Sequence, residues 1–244
     1  MTLIFIFVFT FNFKEFFYQH EKYGIDDNFN ETNISFVKPS EISYELTFKN
    51  IKEDKDNNKI ETNFYAIVKY QKEEEKDFLI FKDIKQTHKI NKKEFINKFL
   101  EKRIKKDNKK EVVYQNGIFH IKEGIKGIDK SIFDLLFINI TFPQKIDVGY
   151  LWSIEKEKMI KIDNYNYHYK EKYFIKFLGY RGNKLIFKVN YFLDNDSLIE
   201  KKIINSYGEI ILTINNHNIE SIDGKIQMLE NGVINKITFS SKIK

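Results

Sequence analysis

The sequence predicts a single α+β domain, a mostly antiparallel β-sheet with two helices inserted near the middle of the chain. Three observations carry this. Apolar and polar residues alternate with a period of two over most of the chain from Glu41 onward. The alternation gives way to helical spacing in only two places, around residues 92–106 and 131–137. Turn-forming pairs rich in Asn, Asp and Gly separate the alternating runs.

The elements follow in order. Ile42, Tyr44, Leu46 and Phe48 alternate with Ser43, Glu45, Thr47 and Lys49, which describes a half-buried strand. The polar run from Glu53 to Lys59 is a solvated turn. A second strand covers about 61–71, with Phe64, Ala66, Val68 and Tyr70 on one face. Glu73 to Glu75 turn the chain into a third strand that begins at Phe78. Phe95, Ile96, Phe99, Leu100 and Ile104 then recur at helical spacing, and Asn91 with Glu94 makes a capping box, so a helix is expected over about 92–106. Asn116-Gly117 supplies a hairpin turn within 112–121. Ser131 with Asp134 opens a second, short helix to Phe137, apolar on every side and therefore buried. After Pro143 the pattern is a β-meander. Tyr165, Tyr167 and Tyr169 alternate with polar neighbours, as do Leu185, Phe187, Val189, Tyr191 and Leu193. Turns are expected at Asp223-Gly224 and Asn231-Gly232, and Val233, Ile237 and Phe239 share the inner face of the last strand.

Composition bounds the function classes. The chain has 244 residues, 24 Phe and 14 Tyr, ample apolar surface for a core without staples. The absence of cysteine excludes a disulfide framework, a thiolate metal site and a Cys nucleophile. The formal charge is +6, yet only Arg103 and Arg181 are arginine. A nucleic-acid surface draws on the arginine fork for phosphate and guanine. The abundance of Lys, Asn, Ile and Phe instead matches AT-rich codon usage, and no nucleic-acid partner is expected.

The first thirteen residues read MTLIFIFVFTFNF. The apolar run from Leu3 to Phe13 is too short to span a bilayer, which needs about 20 residues, and has the length of an export-signal core. No basic residue precedes it and no small-x-small cleavage site follows it. A buried first strand is the alternative reading. Residues 14–33 read as a linker and residues 34–244 as one β-rich domain; no composition shift divides it further.

Residues 142–152 read FPQKIDVGYLW. Phe142-Pro143, Lys145, Val148-Gly149 and Trp152 resemble an FP-x-K-x-x-VG-x-x-W segment found in uncharacterised exported bacterial proteins, with Tyr150 where that pattern has Asp. There, as here, a buried helix precedes the segment and a long meander follows. Such proteins are similar to the open half-barrels of periplasmic lipoprotein carriers. The resemblance covers about the C-terminal half. It implies a curved, half-barrel-like sheet, a cell-envelope address, periplasmic or tethered to the inner membrane, and a lipid or other apolar ligand. It implies no catalytic residue. Read from the residues alone, Pro143 ends the preceding pattern, Gly149 permits a turn, and Trp152 is a core anchor or a ligand-stacking residue.

The remaining chemistry is sparse. His20, His88, His120, His168 and His217 have no metal-ligand spacing, and Asp194-Asn195-Asp196 lacks the Gly and Glu that a calcium loop needs. No catalytic residue, metal or cofactor is expected, and a non-enzymatic binding protein is favoured over an enzyme. The candidate ligand-binding residues are Trp152, Tyr165, Tyr167 and Tyr169, since tyrosine joins apolar area to a polar tip. The lysine-rich stretch from Lys89 to Lys110 is a solvated face or a contact for an anionic membrane surface. An envelope protein is the other candidate partner, to a module without a ligand cavity.

Overall fold

The computed structural model describes residues 21–26, 31–54, 58–90, 93–96, 98, 102, 108–115, 117–121, 140–162, 165–194, 203–230 and 233–244. Period-2 patterning becomes strand nearly everywhere among them. Strand β2 (Ser43–Glu53) buries Tyr44, Leu46 and Phe48 while Glu45, Thr47 and Lys49 face outward. Strand β3 (Lys59–Glu73) buries Phe64, Ala66, Val68 and Tyr70, and β4 (Lys76–Ile90) buries Leu79 and Phe81. Within β4 the inward phase passes from odd to even positions, so that Gln86 is buried. An extra residue at Asp83 (φ 49°) causes this, and opposite it the register with β3 jumps between Tyr65 and Ile67.

Among the described residues twelve strands join one antiparallel sheet. Besides β2–β4 it contains β5 (Lys93–Ile96), β6 (Lys109–Gln115), β7 (Ile118–Ile121), β9 (Leu151–Ile162), β10 (Tyr165–Arg181), β11 (Lys184–Asp194), β12 (Ile203–Asn215), β13 (Asn218–Glu230) and β14 (Val233–Ile243). The order is β7-β6-β4-β3-β2-β14-β13-β12-β11-β10-β9, with β5 on the free part of β4. The first and last long strands thus meet at the centre, where Phe48 pairs with Phe239. Strands β1 (Thr32–Asn33) and β8 (Lys145–Ile146) form a separate two-stranded ladder.

The sheet is open, since β7 and β9 are its edges and no ladder among the described residues joins them. It is also strongly curled. Phe119 on β7 stacks on Tyr70 of β3 at 4.8 Å and reaches Tyr44 of β2, with ring centroids 6.3 Å apart. In a flat sheet β7 and β2 would stand about 19 Å apart, four spacings of about 4.8 Å. Inward side chains of both halves therefore share one core, from Leu46 and Val68 to Ile175, Phe187, Val189, Ile210 and Leu212.

Several expectations need correction. The helix expected over 92–106 is strand at its start: Ile90 pairs with Lys93 and Thr87 with Ile96. The reason lies in the edge of β4. Strand β6 covers β4 only over Asp77 to Ile80, and the backbone groups beyond would be unpaired without β5. Phe95 and Ile96 are consequently exposed. Helical backbone among the described residues is confined to 21–23 and to Lys98 and Lys102. Phe99, Leu100, Ile104 and the second expected helix, 131–137, lie outside the described residues, as does the turn expected at Asn231-Gly232. Asp223-Gly224 is no turn but mid-strand, and Asn216-His217, both at positive φ, make the β12–β13 hairpin instead. Gly224 is where it is because a Cβ there would overlap the ring of Phe239 from β14.

The described part of the expected 14–33 linker is packed on the sheet. Residues 21–23 form a helical turn that Gly24 (φ 61°) ends, and Ile25 is buried against Leu178 and Ile186. Asp26 is tied through its N–H to the Tyr180 carbonyl (2.7 Å), and its carboxylate accepts from the Gly182 amide (2.6 Å). Residues 1–13 lie outside the described residues.

Candidate functional site

The concave face of the sheet is the place where the chain gathers its apolar surface. The segment from Ile140 to Tyr150 enters one side of it. Ile140 and Ile146 are buried there, and Phe142 packs its ring on Phe36 (5.3 Å), Phe187 (5.3 Å) and Trp152 (5.9 Å). Pro143 keeps this stretch out of helix, as its sequence requires. Gly149, at φ 87°, makes the turn that delivers the chain to the sheet edge; its amide donates to the Phe177 carbonyl (2.8 Å). Trp152 is fixed by the same segment. Its Nε1–H donates to the Thr141 carbonyl at 3.0 Å, and its ring meets Phe187 edge-on at 6.1 Å. It wedges the inserted segment against the edge strand β9.

The tyrosine ladder occupies a different region. Tyr165, Tyr167 and Tyr169 pair with Ile162, Ile160 and Lys158 of β9. They lie beyond the last rung between β10 and β11, at Lys170 and Asp194. Among the described residues they therefore sit on a two-stranded extension of the sheet. Trp152 pairs with Ile175, six residues from Tyr169 and about 20 Å along the strand at roughly 3.3 Å per residue. The structure does not bring Trp152 and the three tyrosines together.

What it does bring onto the concave face are two polar groups, Glu171 with Tyr173 and Tyr191 on β10 and β11, and Asn50 with Asn235 on β2 and β14, with Leu193 and Met228 in the rows between them. Glu171 accepts from the hydroxyl of Tyr173 at 3.0 Å and from that of Tyr191 at 3.4 Å. Lys156, opposite Glu171 in register, holds its ammonium 4.9 Å above the Tyr173 ring. Burial, with the Glu171 carboxylate beside it, pushes the Tyr191 hydroxyl well above its ordinary range. On β12, Ser206 is 1% exposed, and on β14 Asn235 is 5% exposed. Asn235 pairs with Lys52, one inward step along β2 from Asn50. The Oδ1 atoms of Asn50 and Asn235 have no hydrogen-bond partner among the described residues. Ser206 Oγ is close enough to Tyr191 to offset part of its shift, but makes no well-formed hydrogen bond. A buried acceptor without a donor costs about 1–3 kcal/mol. Phe48, Ile175, Val189, Ile210 and Phe239 are buried on the same face, whereas Ile60 and Ile90, in the cross-strand row of Lys52 and Asn235, are exposed.

Sequence reasoning missed these two groups, although one signal for Asn235 was present. Val233, Ile237 and Phe239 share the inward phase of β14, and Asn235 is the polar residue that interrupts it. Glu171 interrupts the inward run of Tyr169, Tyr173 and Ile175 in the same way.

The other candidates are ordinary. Among the described residues no group of His, Asp and Glu could hold a metal ion. His88 shares a hydrogen bond with Thr62 (3.0 Å) and His217 with Ser35 (2.8 Å), both structural ties. Of the basic stretch, Lys89, Lys93, Lys98 and Lys102 are exposed, Lys109 pairs with Glu73 and covers the Phe78 ring at 4.1 Å, and Lys110 is buried. No helix among the described residues is long and apolar enough to cross a membrane.

The fold and this face together define a class, the open, curled antiparallel sheet whose concave side carries the apolar residues. A solved structure described as lipid–protein interactions in lipovitellin shares that fold. The TM-score is 0.61 at 11% identity, over 85% of this chain and 25% of that one, so the chain spans about a quarter of the lipovitellin chain it matches. No family model and no curated protein matches the sequence.

Proposed function

We propose that the protein binds an amphiphilic lipid on the concave face of its sheet, without catalysing a reaction, and that it does so in the bacterial cell envelope. The observation that carries the binding is that two buried amide oxygens, on Asn50 and Asn235, lack donors on a concave face that is otherwise apolar. Ile175, Val189, Ile210 and Phe239 are fully buried in the lipid-free protein, so the acyl chain enters by displacing core side chains that now cover them. The head lies at Asn50 and Asn235, whose amide oxygens then accept hydrogen bonds they otherwise lack. Unmet amide oxygens favour a neutral, hydroxyl-bearing head over a carboxylate or phosphate. The shared fold with a protein described by its lipid interactions supports the same reading. The envelope address rests on the apolar run from Leu3 to Phe13 and on the FP-x-K-x-x-VG segment.

Trp152 reports on the test, as the single tryptophan of the chain. Titration with a monoacylglycerol is expected to shift its emission saturably, and native mass spectrometry of the purified protein is expected to show co-purifying lipid. No saturable change together with no bound lipid would leave the second reading, an interaction module whose concave face is filled by the Ile140 to Tyr150 segment.

A further inference from the structure

The concave face changes character at the rim formed by the ends of β2, β3, β4 and β5. Phe48, Phe64 and Gln86 pair across this face and are buried. The next row toward the strand ends is Asn50, Thr62, His88 and Phe95. There the Thr62 hydroxyl and His88 Nδ1 share a hydrogen bond at 3.0 Å, and Phe95 is 52% exposed. The last row is Lys52, Ile60, Ile90 and Lys93, each the direct partner of the one before. All four of its residues are exposed, Ile60 by 41% and Ile90 by 43%. Phe95 stands diagonally to Ile90, within reach across the ladder. Three large apolar side chains thus lie together in solvent, and such a patch marks a contact.

The charges of the rim identify the occupant. Lys52 and Lys93 flank the two isoleucines on the concave side. The acidic residues of the same strand ends, Glu53, Glu61 and Glu94, all take the opposite phase. There Glu61 meets Lys49 at 2.9 Å, Glu53 meets Lys236 at 4.0 Å, and Glu94 lies opposite Lys89 in register. The concave side of the rim is therefore apolar and cationic, with no acidic residue from the ends of these four strands. A second copy of the rim would set lysine against lysine, which is destabilising. An anionic bilayer surface complements it, because headgroups meet the ammonium groups while apolar side chains reach the acyl boundary.

We propose that this rim docks on an anionic phospholipid bilayer, with Ile60, Ile90 and Phe95 at the headgroup–acyl boundary and Lys52 and Lys93 among the headgroups. Asn235 pairs with Lys52 and Asn50 lies in the adjoining row, so docking brings the unmet amide oxygens to the membrane side of the concave face. The docking follows from the rim alone and does not depend on what the concave face binds.

Sedimentation of the full chain with vesicles tests this. Vesicles of phosphatidylglycerol and phosphatidylcholine should bind the protein, vesicles of phosphatidylcholine alone should not, and added salt should weaken the binding. A lysine near an anionic surface contributes about fivefold in affinity, so Lys52→Glu with Lys93→Glu should lower it by roughly tenfold or more. Ile90→Ser with Phe95→Ser should lower it several-fold and leave the circular dichroism spectrum unchanged, since both residues are exposed. Lys82→Glu with Lys225→Glu makes the same change of net charge on the outer face and should have a far smaller effect. The absence of native cysteine allows a placed probe. Nitrobenzoxadiazole attached at Phe95→Cys should brighten with the anionic vesicles, whereas the same probe at Gln71→Cys, exposed at the far end of β3, should not. No binding to the anionic vesicles, equal losses from the two charge reversals, or equal brightening at both probes would overturn the proposal. So would brightening at Phe95→Cys that rises with protein concentration alone, which would make a second copy the occupant.

Discussion

Asn235 sets the energetic problem of the concave face at the scale of one residue. It stands in the inward phase of β14 between Val233 and Ile237, is 5% exposed, and its carbonyl oxygen lacks a donor among the described residues. Leu has nearly the same shape without that demand. Asn235→Leu is therefore expected to stabilise the lipid-free protein by about 1 kcal/mol, at the low end of the cost of an unmet buried acceptor. Urea denaturation measures this. The same change is expected to weaken the Trp152 response to a monoacylglycerol at least several-fold. A residue kept for packing alone would show neither a gain in stability nor a loss of binding.

At the scale of elements, edge pairing decides what the 93–121 region does. Strand β5 completes the uncovered end of β4 and leaves Phe95 in solvent, whereas the β6–β7 hairpin folds Phe119 onto Tyr70 and Tyr44. Phe119→Ala is expected to cost about 3–5 kcal/mol, as aromatic truncations in cores do. Phe95→Ala is expected to stay within about 0.5 kcal/mol, as surface changes do. Comparable losses in thermal unfolding would show that Phe95 is not the exposed residue of a strand. A second element, the stretch from Ile34 to Lys38, is held across the open end by Lys38 on Asp77 and by the Tyr114 hydroxyl on the Val37 carbonyl (3.0 Å). Burial works against the Asp77 charge, but the hydrogen bonds from Lys38 and Tyr70 hold its carboxyl below the usual range. A carboxyl with a depressed folded-state value stabilises above the unfolded value, here 3.8, and loses that contribution as the pH falls through the folded one. The difference in urea midpoint between wild type and Asp77→Asn is thus expected to be constant near neutrality and to shrink below about pH 4. A difference that widened in acid would contradict the assigned pairing.

At the scale of the molecule, the sheet consists of two meanders, β2–β7 and β9–β14, joined where β14 pairs with β2 along its length from Ile234 to Ile243. Removing β14 by truncation after Gly232 exposes two long central edges, β2 and β13, each with a row of free backbone donors and acceptors. The truncated protein is expected to aggregate rather than persist as two half-sheets, and size-exclusion chromatography distinguishes these outcomes. A monomeric truncated form would show that the halves fold independently.

The strand phases of β2, β3 and β11, the break at Pro143 before the C-terminal meander, and the absence of a thiolate site were all legible in the sequence. Each is set by local chemistry, by alternation, proline geometry or missing residue types, and such signals survive in one dimension. Three other features belong to the tertiary structure. Strand β5 replaced the start of a helix because an unpaired stretch of β4 lay beside it, a fact about neighbours rather than about Phe95 or Glu94. Gly224 became mid-strand because Phe239 from another strand needs its missing side chain, not because Asp-Gly lacks turn propensity. Asn50, Glu171, Tyr191, Ser206 and Asn235, each on a different strand, share the concave face because the phase of each ladder turns them inward. Residues as far apart in sequence as Asn50 and Asn235 carry no shared local pattern, and only the β2–β14 register sets them one inward step apart on adjacent strands.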